Sequence, residues 1–355
     1  LKNNLPINNW FNTKENNKFI IAGPCSAESL EQLLEVARQL SQTNKVSLFR
    51  AGVWKPRTRP DSFEGIGNKA LKWLKEVKAQ TNLSTITEVA SPAHVDACLT
   101  NGIDALWIGA RTVSNPFSIQ EIANSLKGVD IPIFVKNPIN PDIQLWIGAI
   151  ERLANVGVKK IAAIHRGFYP FEKSNLRNIP KWELAIELKT FFPDIPIITD
   201  PSHIAGKVSY IKEIAQYAYD LSFDGLMLEV HHDPSNALSD SQQQITPNEF
   251  ISIINSLLLK NVSINNFENY INNYRAQIDS IDYQMLKLLL NRMEIVKKIG
   301  YLKKENNIAV FQLSRWKDIL KSRINAAETD GLNKEFIYKL LELIHKESIK
   351  IQSDL

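Results

Sequence analysis

Four residues spread over most of the chain would make one metal site if folding brought them together. Cys25, His203, Glu229 and Asp240 offer a thiolate, an imidazole and two carboxylates, a mixed donor set suited to a divalent transition metal. No short spacing such as CxxC joins them. Taken singly, Cys25 fits a small buried hydrophobe and His203 an ordinary loop histidine. A second set is cationic: Lys55, Arg57, Arg59, Arg111, Lys136 and Arg166. Cations that converge bind phosphate and carboxylate groups, arginines in bidentate fashion. Lys55, Arg57 and Arg59 lie in "KPRTRP", where two prolines stiffen the loop and hold the basic groups in place. A solvated basic rim is the competing account, and it fits Lys55 and Arg57 least.

Only a particular fold would collect these groups. Short β-rich runs recur through the first 260 or so residues at 18–23, 46–52, 84–89, 104–109, 131–136, 160–165, 195–200 and 224–230. Helical patterns such as "SLEQLLEVARQLSQ" and "NKALKWLKEVKAQT" lie between most of them. The strands are almost continuously apolar, as in a parallel sheet covered on both faces. Eight strand–helix units predict a (β/α)8 TIM barrel. A doubly wound sheet is the alternative, but the "GxGxxG" expected after its first strand is absent. The strands hand over in turn to Cys25, Lys55, Glu88, Arg111, Lys136, Arg166, His203 and Glu229. A barrel gathers all eight C-terminal strand ends around one mouth, where such folds do chemistry.

Bulk properties narrow the class. The chain has 355 residues, 44% hydrophobic and 23% charged, the balance of a globular protein. A net charge of +4 is too small to imply a nucleic-acid partner. No apolar stretch reaches the ~20 residues of a membrane span, and no signal-peptide core opens the sequence. Two cysteines make no disulfide framework, so a cytoplasmic location is expected.

The stretches "IAGPCSAES", "RAGVWKPRTRPDSFEGIG", "ITEV", "WIGAR", "TDPSHIAGK" and "DGLMLEVHHDPSNALSD" occur in the order found in type I-beta 3-deoxy-D-arabino-heptulosonate 7-phosphate (DAHP) synthases. The chain resembles that family over about residues 18–258. A cousin, 3-deoxy-octulosonate 8-phosphate synthase, shares the barrel and the first substrate but lacks "KPRT". The resemblance implies Cys25, His203, Glu229 and Asp240 as ligands of one divalent ion, Mn2+ first, with Zn2+, Fe2+ or Co2+ as alternatives. It implies Lys55, Arg111, Lys136 and Arg166 as the phosphoenolpyruvate site. Lys55, Arg57 and Thr58 match the loop that receives erythrose 4-phosphate, and Ser202 is expected near its phosphate. Lys55 is the candidate proton donor to the new alkoxide, and Asp200 a candidate to orient the site. Two departures stand out. "VKNPINPD" replaces the usual loop after Lys136, and "EVHHDP" carries His231 and His232, neither of which is assigned to the metal.

Residues 1–261 read as this barrel with a short N-terminal extension, and 262–355 as a separate helical domain. Its last 93 residues hold 15 Lys and Arg against 12 Asp and Glu, so most of the net charge lies there. "ITPNEFISIINSLLLKN" (245–261) predicts the last barrel helix, capped by Thr246 with Pro247 first inside. Helices are expected at about 266–305, 314–328 and 333–353. The first carries apolar residues mostly three or four apart from Ile271 to Leu302, too long a stripe for two short partners, which predicts a dimer. On spacing alone the domain reads as a dimerisation arm with a solvated basic face.

The tail also resembles the all-helical chorismate mutase of the AroQ class, through "YRAQIDSIDYQMLKLLLNRMEIVKKIGYLKKENN", "SRW" and "KESIKIQ". Arg275, Arg292, Lys303, Arg315, Ser348 and Gln352 fall on that family's site positions. In its intertwined dimers the arginine at Arg275 enters the partner's site, while Lys303 and Gln352 would bind the ether oxygen of chorismate. Two carboxylate positions differ: Gln312 replaces an aspartate, and Trp316 a glutamate that binds the substrate hydroxyl. The resemblances together imply a bifunctional shikimate-route enzyme. The alternative is a synthase whose tail only senses chorismate or prephenate and holds a dimer.

Overall fold

The computed structural model describes residues 6–11, 18–55, 63–171, 173–258 and 268–355, the last from 268 to 270 by backbone alone. Arg57, Thr58 and Arg59 lie outside the described residues. The chain divides into two compact units, Leu1–Val262 and Ser263–Leu355.

The first unit is a closed parallel barrel of eight strands in chain order. These are β1 (Phe19–Gly23), β2 (Leu48–Arg50), β3 (Thr85–Val89), β4 (Ala105–Ile108), β5 (Ile133–Lys136), β6 (Ile161–His165), β7 (Ile197–Thr199) and β8 (Gly225–Glu229). All eight lie inside the runs expected from sequence. The barrel closes where β1 pairs with β8, from Phe19 opposite Gly225 to Gly23 opposite Glu229.

Side chains alternate across each strand, so every second residue points into the barrel. The inward residues of the lower layers are apolar: Phe19, Ile21, Leu48, Ile86, Trp107, Phe134, Ile164, Ile198 and Met227 pack as one cluster. A 3-10 turn, Ile7–Trp10, closes the bottom, with Trp10 edge-on to Phe134 at 6.2 Å. Two residues further along several strands, the same inward direction becomes charged. Leu48 gives way to Arg50, Ile86 to Glu88, Phe134 to Lys136, Ile198 to Asp200 and Met227 to Glu229. The switch falls at the C-terminal ends, so the sequence itself sets an apolar floor under a charged mouth.

The outward strand residues meet the surrounding helices in a larger apolar cluster. Its helices start on clear caps. Ser29, Ser91, Asn115 and Asp142 each accept a first-turn N–H, and Thr246 forms a capping box with Glu249. The helix behind Thr246 runs Pro247–Ser256 and so stops short of the expected 261. Gln216 explains the stop: its amide takes both the N–H and the carbonyl of Leu258, at 2.9 and 3.0 Å, and holds that residue out of the helix.

The second unit has helices Glu268–Glu305, Leu313–Thr329 and Lys334–Ser353. Asn333 caps the last by accepting from Phe336 N–H, after a left-handed Gly331 at φ 82°. Its buried apolar residues among those described are Val296, Ile324 and Ile337. On the long helix Tyr274, Ile278, Ile281, Met285 and Leu288 stay 47–68% exposed. No helix among the described residues is long and apolar enough to cross a membrane.

Candidate active site

Trp107 is the base of the barrel mouth. Its ring lies under two cations, Arg50 at 5.0 Å and Lys136 at 5.8 Å, and its Nε1–H donates to Glu88 at 3.1 Å. Gly109 permits this arrangement, because a Cβ there would fall 2.0 Å from Glu88 Oε1.

Above it, ligand atoms of Cys25, Glu229 and Asp240 lie within 4.8 Å of one another. The Cys25 thiol donates to Asp240 Oδ2 at 3.2 Å and accepts from Lys55 Nζ at 2.9 Å. Burial, then the charge of Glu229, pushes that thiol up to about 12 despite the opposing charge of Lys55, so without a bound metal ion the sulfur keeps its proton. Burial alone would raise the Glu229 carboxyl, but His203 and Arg50 outweigh it and hold Glu229 below its ordinary range. Arg50 donates to Glu229 Oε1 at 3.0 Å, and Gln243 Nε2 donates to Glu229 Oε2 at 2.6 Å. His203 stands beside the group of three. Its Nδ1 is 3.9 Å from Glu229 Oε1 but turns to Asp200 Oδ2 at 2.8 Å. A buried thiol and two carboxylates with an imidazole at their edge fit a divalent transition metal.

The cations line a cavity of about 270 Å³ that also takes in Glu88, His203 and Asp240. Lys55, Arg111, Lys136, Arg166 and Arg177 all reach it. Lys136 pairs with buried Asp200 at 3.0 Å, and burial lowers its pKa from the usual lysine value. Burial also brings Arg166 down to about 10. Arg111 is exposed at the cavity edge. Ser202 is elsewhere: its Oγ accepts from the Glu229 N–H at 2.9 Å, fully buried, and so serves the backbone of β8. His231 also faces away from the donor group, toward Glu28 at 3.6 Å.

Four contributors escaped the sequence reading. Arg50 is 1% exposed, and its Nε and Nη1 have no hydrogen-bond partner. A charge inside the otherwise apolar run "VSLFRAG" was the available signal. Arg177 donates to Asp240 at 3.0 Å and to Gln243 at 2.5 Å. Asn178 accepts from Arg166 at 2.9 Å and donates to the His203 carbonyl at 2.6 Å. Adjacent residues thus strap the donor group to the cationic side. Gly206, left-handed at φ 69°, lets them approach, since its Cβ would meet Arg177 Cβ at 2.4 Å.

In the helical unit, Arg292 donates to Ser348 Oγ at 2.6 Å, and Gln352 donates to the Ser348 carbonyl at 3.1 Å. Lys303 donates to the Val310 carbonyl at 2.6 Å. Gly300 keeps the helices close, because a Cβ there would stand 3.1 Å from Gln352 Cγ. Arg315 and Arg275 are exposed. Arg275 touches Asn272 on its own helix, 17 residues or about 25 Å from Arg292. One chain therefore brings together Arg292, Ser348 and Gln352, and leaves Arg275 apart.

Comparison with known proteins follows the same division. A model of the DAHP synthetase I family matches residues 5–262, and one of chorismate mutase type II matches residues 274–353. A phospho-2-dehydro-3-deoxyheptonate aldolase of Thermotoga maritima is 33% identical over 226 residues, 64% of each chain. The present chain thus spans less than two thirds of that relative's length. A 2-dehydro-3-deoxyphosphooctonate aldolase of Xylella fastidiosa is 29% identical over 241 residues, covering 62% of this chain and 83% of its own. A crystal structure of the Thermotoga maritima DAHP synthase superposes with a TM-score of 0.61 at 29% identity over 68% of each chain.

Proposed function

The chain belongs to the DAHP synthetase I family, and we propose that it condenses phosphoenolpyruvate with erythrose 4-phosphate and, through its helical unit, rearranges chorismate to prephenate. One observation carries the first activity: five cations line one 270 Å³ cavity together with His203 and Asp240, and Asp240 is grouped with the Cys25 thiol and the Glu229 carboxylate. Two mutually repelling anions need such a cage before they can react.

Cys25, Glu229, Asp240 and His203 would hold one divalent ion, Mn2+ in our reading. Its chemistry when bound is Lewis acidity toward the aldehyde oxygen. Lys55, Arg111, Lys136 and Arg166 would bind the phosphate and carboxylate of phosphoenolpyruvate. Carbon 3 of that substrate forms the new bond to the aldehyde carbon, water adds at carbon 2, and phosphate leaves. Lys55 sits between the donor group and the cavity, where its Nζ can deliver a proton to the new alkoxide. Lys55, Arg57 and Thr58 would receive erythrose 4-phosphate. Ser202 would support that site through the β8 backbone.

In the helical unit Arg292 and Arg315 would clamp the two carboxylates of chorismate, with Ser348 beside them. Lys303 and Gln352 would take the ether oxygen as its bond breaks, so the gain is electrostatic. The uncovered apolar face of the long helix and the remote Arg275 support a homodimer in which Arg275 completes the partner's site. Fusion of the two units supports control of the synthase by chorismate or prephenate. Free buried cysteines fit a cytoplasmic enzyme. Paired assays on the full chain test the reading. Phosphoenolpyruvate loss should require erythrose 4-phosphate and stop on chelation, and chorismate should disappear above its background rate. Absence of the first sinks the synthase; absence of the second leaves the helical unit as a sensing and dimerising module.

A further inference from the structure

A polar stripe on the helix Lys334–Ser353 extends one turn beyond the residues already assigned. His345, Ser348 and Gln352 are three and four residues apart and share one face. Ser348 on that face is bonded to Arg292, so the stripe looks toward the cations of the long helix. Two atoms along it, His345 Nε2 and Gln352 Oε1, are buried with no hydrogen-bond partner. A buried polar atom without a partner costs about 1–3 kcal/mol, so two on one face mark a surface shaped for a polar ligand.

The His345 ring is also held in place. Trp316 stacks on it at 4.1 Å with the planes 8° apart, and Phe311 meets it at 5.9 Å. These contacts fix the ring plane and hence the direction of Nε2. Burial, then Arg292 and Lys303, lowers the imidazole pKa from its usual value, so the ring is neutral near pH 7. A neutral imidazole with its proton on Nδ1 presents Nε2 as an acceptor. The other groups of this site, two arginines, a lysine and an amide, supply mainly donors. Gln312 and Trp316 offer no carboxylate where one would accept from a substrate hydroxyl.

We propose that His345 is a substrate-binding residue of the helical unit, whose Nε2 accepts the hydrogen bond of the chorismate hydroxyl while Trp316 holds the ring in position. This rests on the mutase reading above. It also gives Trp316 a part in the site, as the ring that orients this acceptor.

The test uses the full-length protein and three forms, wild type, His345→Leu and His345→Gln. Glutamine can place a polar atom near the Nε2 position; leucine cannot. Each is assayed with chorismate and with an analogue lacking the hydroxyl, and circular dichroism with a thermal melt on the same preparation reports folding of the helical unit. His345→Leu should lose roughly 10–100-fold in kcat/KM for chorismate, with His345→Gln within about fivefold of wild type. On the analogue, wild type and His345→Leu should converge. The assignment is overturned if His345→Leu stays within about twofold of wild type, if it loses the same factor on the analogue, or if His345→Gln is no better than leucine. Wild type inert toward chorismate would instead remove the mutase reading itself, and this assignment with it.

Discussion

Lowering the pH from about 7 to about 4.5 should weaken the barrel unit by about 2.5 kcal/mol through His165 alone. This residue ends β6 with its side chain outward, fully buried against Trp182 at 4.8 Å and Phe168 at 6.2 Å. Its Nε2 lies 2.5 Å from the Pro180 carbonyl. A carbonyl only accepts, so Nε2 carries the proton. Nδ1 is buried without a partner, and a second proton would have to land there. Burial, and next among the lowering causes the charge of Arg166, depresses the pKa to about 4 from 6.5, although the Pro180 contact opposes it. The folded value is below the unfolded one, so the unfolded chain binds more protons between those limits. The contribution is complete above about pH 6.5 and is lost as the pH falls toward 4. Pro180 lies two residues past Asn178 of the Arg177–Asn178 strap, and Phe168 pairs with the intervening Ile179. Protonation should therefore loosen the barrel mouth before it unfolds the barrel. The comparison is His165→Gln, which keeps an N–H for Pro180 and does not titrate. Urea unfolding of both forms at the two pH values should show wild type losing about 2–3 kcal/mol more than the variant. Parallel losses would refute the argument, whatever the variant's stability at neutral pH.

Three further outcomes follow from the same geometry. Asn178→Leu removes the amide that holds Arg166, so KM for phosphoenolpyruvate should rise about tenfold with a smaller change in kcat, read by initial-rate kinetics. Cys25→Ser exchanges a soft donor for a hard one. Metal retained after dialysis should fall about 10–100-fold, measured by elemental analysis. Ile278→Asp puts a charge on the uncovered face of the long helix. Sedimentation should show dissociation, with chorismate turnover lost and synthase turnover kept.

The barrel was legible because a parallel strand buried on both faces must be apolar along its length, and eight such runs leave few topologies. The mouth was legible where a polar residue closes an apolar run or follows it, as with Lys136, Arg166 and Glu229. It was not legible at Arg50, which falls two residues short of the end of its expected run. Arg50 closes a three-residue strand inside "VSLFRAG", and only the inward direction fixed by Leu48 two residues earlier gives it a role. Arg177 and Asn178 sit in irregular chain, where no periodicity tells what a side chain faces. Ser202 follows the aspartate that ends an apolar run, but its hydroxyl turns inward to the Glu229 N–H, and sequence carries no sign of that choice. The helix after Thr246 ended early because of Gln216, about forty residues upstream, an interaction no local pattern contains. His345 lay unread for a similar reason: spacing puts it beside Ser348, but only the stack on Trp316 distinguishes it from core filling.

The pairing of charges in the mouth is hard to explain as stability. Arg50–Glu229 and Lys136–Asp200 are ion pairs almost wholly removed from water, and Arg177–Asp240 is partly so. Desolvating such pairs commonly costs as much as their attraction returns, so well-packed apolar residues would serve a barrel as well. The layers below them do use apolar residues, from Phe19 to Met227, with Trp107 at the boundary. Stability is therefore supplied beneath the site and around it. Under the proposed function the charged layer above it meets another requirement: anions that would hold a metal, and cations that would hold a phosphate or carboxylate, must stay ordered before either ligand arrives. Interleaving the two sets does this, since each group is the other's temporary partner. The same logic explains why Lys55 rests on the Cys25 sulfur and Arg177 on Asp240. It also separates two effects of removing a cation. Loss of Arg111, exposed at the cavity edge, should cost substrate affinity alone. Loss of Arg50 should cost stability as well, by about 3–5 kcal/mol, because it leaves Glu229 buried without its partner.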